Sequence, residues 1–189
     1  LLLLLLTACP RCFDPRTEEI HDNGPATESD FRSATQLLSD GKLAETETAL
    51  SQFRQKFGPS EPLCPLATTH EARALRLLSR PADAKALLSP LVPLQPAETW
   101  LGSEVRRELG QVEYALQNWD VALRLLAPLS AQIVDGEEGA ELHATLADLY
   151  RRAGQPEAAL REFERLGQSK AVRPGELAYA RQQSQTLIE

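Results

Sequence analysis

Methionine is absent from all 189 residues, position 1 included, so the chain reads as a piece of a longer protein. Aromatic residues make up 5%, too few for the usual β-sandwich or barrel core, while a 42% hydrophobic content suffices for a core of another kind. No basic run occurs and the formal net charge is −7. That combination argues against nucleic acid as a partner, because Lys and Arg supply most of such affinity by neutralising phosphates. Long hydrophobic runs are missing too: the apolar stretch from Leu1 to Cys9 covers nine residues, and a bilayer-spanning helix needs roughly 20. The chain holds no G-x-S-x-G, H-E-x-x-H, P-loop or G-x-G-x-x-G motif. His21 lies in a polar leader, His70 near the start of a helical pattern, and neither has a carboxylate at a telling spacing; His143 reads as a packing residue. The expectation is a protein that is no enzyme and carries neither metal nor cofactor.

What the chain has instead is self-similarity. Gly41, Ser79, Gln117 and Gly154 each follow a helical pattern and precede another. Five residues after each comes Thr46, Ala84, Ala122 and Ala159, at spacings of 38, 38 and 37 residues. Then follow Leu50, Leu88, Leu126 and Phe163, and next Phe53, Leu91, Leu129 and Leu166; seven residues before each turn stand Ala34, Ala72, Gly110 and Ala147. A small residue on either side of a turn lets two helices approach closely, and the larger apolar columns seal the next pair. Repetition at this period is the mark of a solenoid. The expected fold is all-α, a right-handed solenoid of about four helical hairpins plus a C-terminal helix. The hairpins fall at about 28–58, 64–93, 98–134 and 138–168, and the terminal helix at 174–188. Pro- and Gly-bearing loops separate them, including an acidic stretch from Asp135 to Glu138 that reads as a solvated turn whose acids favour the N-terminus of the next helix. Thr27 or Ser29 is positioned to cap the first helix.

Leu6-Thr7-Ala8-Cys9 behind a leucine run resembles the lipobox of bacterial lipoproteins. The resemblance implies a signal-peptide remnant over 1–9, lipid attachment at Cys9, and anchoring of the chain at the periplasmic side of a cell envelope. Pro10, in the position where Asp retains enteric lipoproteins at the inner membrane, points to the outer membrane. Residues 10–27, with Pro10, Pro15, Gly24 and Pro25, read as a flexible tether. Cys9 and Cys12 also form a C-x-x-C, but no strand context supports a redox role and no second ligand pair supports a metal. A disulfide between Cys12 and Cys64 stays open.

Leu109-Gly110, Asn118-Trp119-Asp120 with Ala122, and Leu146-Ala147, Tyr150, Gly154-Gln155-Pro156 with Ala159 resemble tetratricopeptide repeats. The likeness covers about residues 30 to 168, departing at Thr46, where the family prefers Ala, and at Arg80-Pro81, where Gly is usual beside the turn. With the lipobox, the tether and Gln55-Lys56-Phe57-Gly58-Pro59-Ser60, the chain is similar to the N-terminal region of penicillin-binding-protein activator lipoproteins of the LppC type. That resemblance implies a scaffold that binds a protein, a penicillin-binding protein among the candidates, and regulates a peptidoglycan synthase. Tetratricopeptide lipoproteins of outer-membrane β-barrel assembly and of pilus biogenesis fit as well, as does an accessory part of a ligand-sensing protein whose C-terminal domain lies beyond Glu189.

Helical phase places Arg73, Arg76, Arg107, Gln111, Tyr114, Asp148, Arg151 and Arg152 on the concave face formed by the first helix of each hairpin. The expectation is a basic groove for an acidic or carboxylate-ended protein segment, since Arg and Tyr are favoured interface anchors. The competing reading is a solvated Arg-rich face with no partner.

Overall fold

A computed structural model describes residues 25–131 and 136–168, and beyond them residues 175, 178, 179, 182, 183 and 186. Among the described residues there are eight α-helices and no strand: α1 (Pro25–Ser39), α2 (Leu43–Phe57), α3 (Cys64–Leu77), α4 (Pro81–Leu88), α5 (Trp100–Ala115), α6 (Trp119–Leu126), α7 (Gly136–Arg152) and α8 (Pro156–Gln168). They pair as four antiparallel hairpins. The first helix of each hairpin packs on its own partner and on the first helix of the next, so α1, α3, α5 and α7 line one face. Short 3₁₀ turns at Val92–Leu94 and Ala127–Leu129 follow the two eight-residue helices α4 and α6.

The turns are built alike. Gly41, Ser79, Gln117 and Gly154 all have positive φ, between 62° and 73°. In each, the residue after the turn donates its N–H five residues back: Lys42 to Leu37, Arg80 to Leu75, Asn118 to Glu113 and Gln155 to Tyr150. The turn residue itself donates three back: Gly41 to Leu38, Ser79 to Arg76, Gln117 to Tyr114 and Gly154 to Arg151. This is the Schellman arrangement, which satisfies the last carbonyls of a helix and needs one left-handed residue. Pro81 and Pro156 then open the second helices, where a missing N–H costs nothing.

The repeat columns are the core. Thr46, Ala84, Ala122 and Ala159 are fully buried, as are Leu50, Leu88 and Leu126, with Phe163 nearly so. Ala34, Ala72 and Ala147 sit where the helices cross, and a Cβ on Gly110 would lie 2.4 Å from Leu126 Cδ2. Thr46 tolerates a column of alanines because its Oγ1 donates to the Lys42 carbonyl oxygen at 2.9 Å. Leu91 is half-buried, because α4 has already ended at Leu88.

Some expectations shift. The tether does not run to residue 27, since α1 begins at Pro25; Thr27 and Ser29 lie inside that helix rather than at its cap. The acidic stretch enters the helix earlier than expected: Gly136 to Glu138 already form the first turn of α7, where Glu137 and Glu138 suit the helix dipole as the sequence implied. Among the described residues, one side-chain N-cap bond is seen, that of Thr99, whose Oγ1 accepts from the Gly102 N–H at 2.9 Å. Cys64 is buried and free, its thiol pushed up first by burial and next by Glu61. Cys9 and the lipobox, Cys12, His21 and most of the residues of the expected terminal helix lie outside the described residues. The six described within 174–188 are helical.

A left-handed conformation costs a non-glycine residue about 1–2 kcal/mol, against about 0.5–1 kcal/mol of extra chain entropy for glycine. Ser79→Gly and Gln117→Gly should therefore each raise the melting temperature by about 2–4 °C, read by circular dichroism. Gly110→Ala should lower it: forcing a methyl against buried Leu126 costs about 1–3 kcal/mol, more than the roughly 1 kcal/mol of helix propensity gained.

Candidate partner-binding face

The aligned helices α3, α5 and α7 carry a ladder of polar side chains across the concave face. Arg76 of α3 contacts Glu108 of α5 through Nε at 2.6 Å and Glu141 of α7 through Nη1 at 2.9 Å. Arg107 of α5 pairs with Glu104 at 2.6 Å and with Glu138 of α7 at 3.2 Å. Arg73 of α3 bonds the same Glu138. Further along, Thr145 donates to Gln111 Oε1 at 3.0 Å, and Tyr114 donates to Asp148 Oδ2 at 2.9 Å. Asp148 also holds Arg151 at 2.7 Å and Arg152 at 2.5 Å. Arg152 in turn lies over the Trp119 ring, 4.4 Å from its centre, and Trp119 meets Tyr114 edge-on.

All eight residues that helical phase assigned to this face are on these helices, but the face is not basic. Arg107 and Gln111 are 2% and 3% exposed, buried between helices rather than offered to a partner. Arg73 and Arg76 are met by glutamates, and Arg151 and Arg152 share Asp148. The physical reason is register. Each first helix sets its carboxylates against the guanidinium groups of its neighbours, so charge cancels across the stack. Glu104, Glu108, Glu138, Glu141 and Thr145 are the members that single-helix reasoning missed; phasing α5 and α7 against α3 would have found them.

The groups bear the mark of these neighbours. Burial would lower the basicity of Arg107 and Arg76, but the carboxylates around them outweigh it and hold both guanidinium groups above their ordinary range. Burial would raise the Glu138 carboxyl, yet Arg107 and then Arg73 bring it below the usual value. The Tyr114 hydroxyl is pushed up to about 12, by burial first and by its bond to Asp148 next. The Arg107 Nη1 and Gln111 Nε2 atoms are buried with no hydrogen-bond partner.

Beside this ladder runs a groove of about 520 Å³. Charged and apolar side chains are interspersed along its lining: Arg73, Arg76 and Leu77 from α3, Ala140, Glu141, Ala144 and Asp148 from α7, and Phe163 and Leu166 from α8. Leu77 is 47% exposed, a large apolar side chain open to solvent in the groove. Tyr179 closes one edge, its ring 6.5 Å from that of Phe163.

His143 is buried at the other side of α7, its Nδ1 2.7 Å from Glu162 Oε2, while Ser130 donates to Glu162 Oε1 at 2.9 Å. Burial would raise the Glu162 carboxyl, but these bonds and Arg165 bring it below its ordinary value. The group ties α7 to α8. Among the described residues no cluster of three His, Cys, Asp or Glu could hold a metal ion.

The chain matches no protein-family description and no curated protein sequence at a significant level. Solved structures do resemble it. A Podosopora anserina protein with nearly identical tetratricopeptide-like repeats superposes with a TM-score of 0.63 at 22% identity, over 86% of this chain and 92% of that one. A tetratricopeptide repeat protein from Parabacteroides merdae gives 0.57 at 17% identity, over 87% and 64%. MamA from Desulfovibrio magneticus gives 0.56 at 17% identity, over 87% and 94%. These likenesses show the fold: the chain is a tetratricopeptide-like solenoid.

His70 of α3 lies among these charges, its ring 6.0 Å from that of Phe31. Burial, then Arg73 and Arg107, push its pKa down to about 4, with Glu138 opposing. A folded-state value below the unfolded one means that the unfolded chain takes the proton first. Stability is therefore full above about 6.5 and is lost as the pH falls towards 4. The urea midpoint should drop across that window by the equivalent of about 1–3 kcal/mol, a tenfold change in proton affinity being worth about 1.4 kcal/mol, and His70→Gln should flatten the drop.

Proposed function

We propose that this chain is a lipid-anchored scaffold of a bacterial cell envelope, which receives a segment of a protein partner in the concave groove between α3, α7 and α8. The observation that carries the reading is the groove's mixed lining. An exposed Leu77 and the apolar side chains of Ala140, Ala144, Phe163 and Leu166 lie among charged groups already positioned by one another. Such a cleft suits an amphipathic segment, whose apolar side chains are buried while its polar ones find fixed partners. The tetratricopeptide-like fold supports a protein partner in general terms. The finer identity rests on the sequence resemblance alone: the Cys9 lipobox for the anchor, the periplasmic face of the outer membrane for the location, and a peptidoglycan synthase of the penicillin-binding class for the partner.

Two measurements test the two parts separately. With its leader complete, the protein should fractionate with membranes, and Cys9→Ser should release it to the soluble fraction. Persistent membrane association of that variant would remove the anchor. Leu77→Ser removes the exposed apolar side chain and adds no charge beside the ion-pair ladder. It should weaken capture of a purified penicillin-binding protein about tenfold, the loss of one buried apolar anchor being worth about 1.5–3 kcal/mol. Equal capture by both chains would remove the groove from the account.

A further inference from the structure

In a repeat solenoid each unit touches only the unit before and the unit after it. Two side-chain pairs in this protein reach further. Arg73 bonds Glu138, and Arg76 Nη1 bonds Glu141 Oε1 at 2.9 Å; each pair spans 65 residues, from α3 in the second hairpin to α7 in the fourth. Helix α5 lies between them, packed on both, and its Arg107 meets the same Glu138.

We infer that Glu138 and Glu141 act as a latch on Arg73 and Arg76, drawing the fourth hairpin towards the second and setting the width of the groove. The inference rests on the reading of that groove as the binding surface and concerns its regulation. Curvature in a solenoid is the sum of small rotations between units, so a bond that skips a unit fixes two rotations at once. The latch is placed where it can open. Glu138 and Glu141 keep 42% and 31% of their side chains exposed, within reach of water and salt. The other bond of Arg76, to Glu108, has a carboxylate only 1% exposed and stays shut. Arg76 is thereby held to α5, while its contact with α7 is the one that can be given up. A partner segment lying along Arg73, Arg76 and Glu141 competes for the same groups, so entry and opening are coupled.

Small-angle scattering of the full chain tests this without any partner. The screening length falls from about 30 Å at 0.01 M salt to about 3 Å at 1 M, and the radius of gyration should rise over that range as the latch loosens. Ordinary screening of a net charge of −7 would act the other way, relaxing self-repulsion and compacting the chain, so expansion is diagnostic. Glu138→Gln/Glu141→Gln should have the expanded radius already at low salt, with unchanged helicity and little further response. Arg80→Ala, which breaks an exposed pair to Glu47 between adjacent hairpins, should leave the salt response intact. A wild-type radius that is constant or shrinks with salt overturns the latch, whatever the variants do. A double variant that folds and keeps the wild-type response overturns it equally. Because neither readout uses a partner, failure of capture would sink the proposed function and leave this result standing.

Discussion

Two helices can cross at close range only where neither carries a side chain of any size. In this protein that constraint is met at a fixed place in every hairpin, by Ala34, Ala72, Gly110 and Ala147 on the first helices and Thr46, Ala84, Ala122 and Ala159 on the second. The rest of the solenoid follows from it. Close crossing brings Leu50, Leu88, Leu126 and Phe163 into the angle between helices, where burial of each contributes about 1.5–3 kcal/mol. It also leaves no room for error at the turn, which explains why all four turns adopt one left-handed form although only Gly41 and Gly154 adopt it without strain. Ser79 and Gln117 hold it because the packing on both sides demands it.

Apolar columns alone would let the hairpins slide against one another, since hydrophobic contact has no direction. Buried carboxylates restrain them at successive junctions. Arg54 of α2 meets Glu71 of α3 at 2.6 Å, Lys85 of α4 meets Glu113 of α5 at 2.8 Å, and Ser130, at the end of the third hairpin, donates to Glu162 of α8 at 2.9 Å. The desolvation such pairs require makes their net contribution to stability small, but a shifted register would leave a carboxylate buried and unmatched. Glu71 shows the cost plainly. It stands where the later repeats place Leu109 and Leu146, and burial raises its carboxyl in spite of Arg54. The pair gives the second repeat a single permitted fit against the first, and costs some core in exchange.

The columns were legible because each depends on the chain's own period: residues one repeat apart meet the same surroundings, and the sequence displays that recurrence directly. Positions on the concave face were legible for the same reason, and Arg73, Gln111 and Asp148 do fall in one column. The electrical character of the face was not. Net charge at a surface depends on which side chains meet across helices, and the register between α3, α5 and α7 is set by packing depths that no single helix encodes. Arg107 is arginine in the sequence and a buried cross-link in the fold. Glu138 looked like part of a solvated turn because Asp135 to Gly139 carry turn-forming residues, yet two guanidinium groups hold it at the start of α7.

This cancellation bears on how a partner would be chosen. A groove of one sign attracts ligands over a Debye length and raises encounter rates for anything of opposite charge. A face whose charges are mutually paired exerts little field at that range, so selection falls to contact: shape, apolar lining residues such as Leu77 and Leu166, and the few groups able to exchange one partner for another. A bare arginine cluster would collect any polyanion, and pairing each guanidinium group with a carboxylate removes that attraction. Discrimination then lies in whether a segment can offer both an apolar stripe to bury and a polar edge good enough to replace Glu138 and Glu141 at Arg73 and Arg76. A partner that offers only one of the two leaves either exposed leucine or an unmatched buried charge, and the second penalty is the larger.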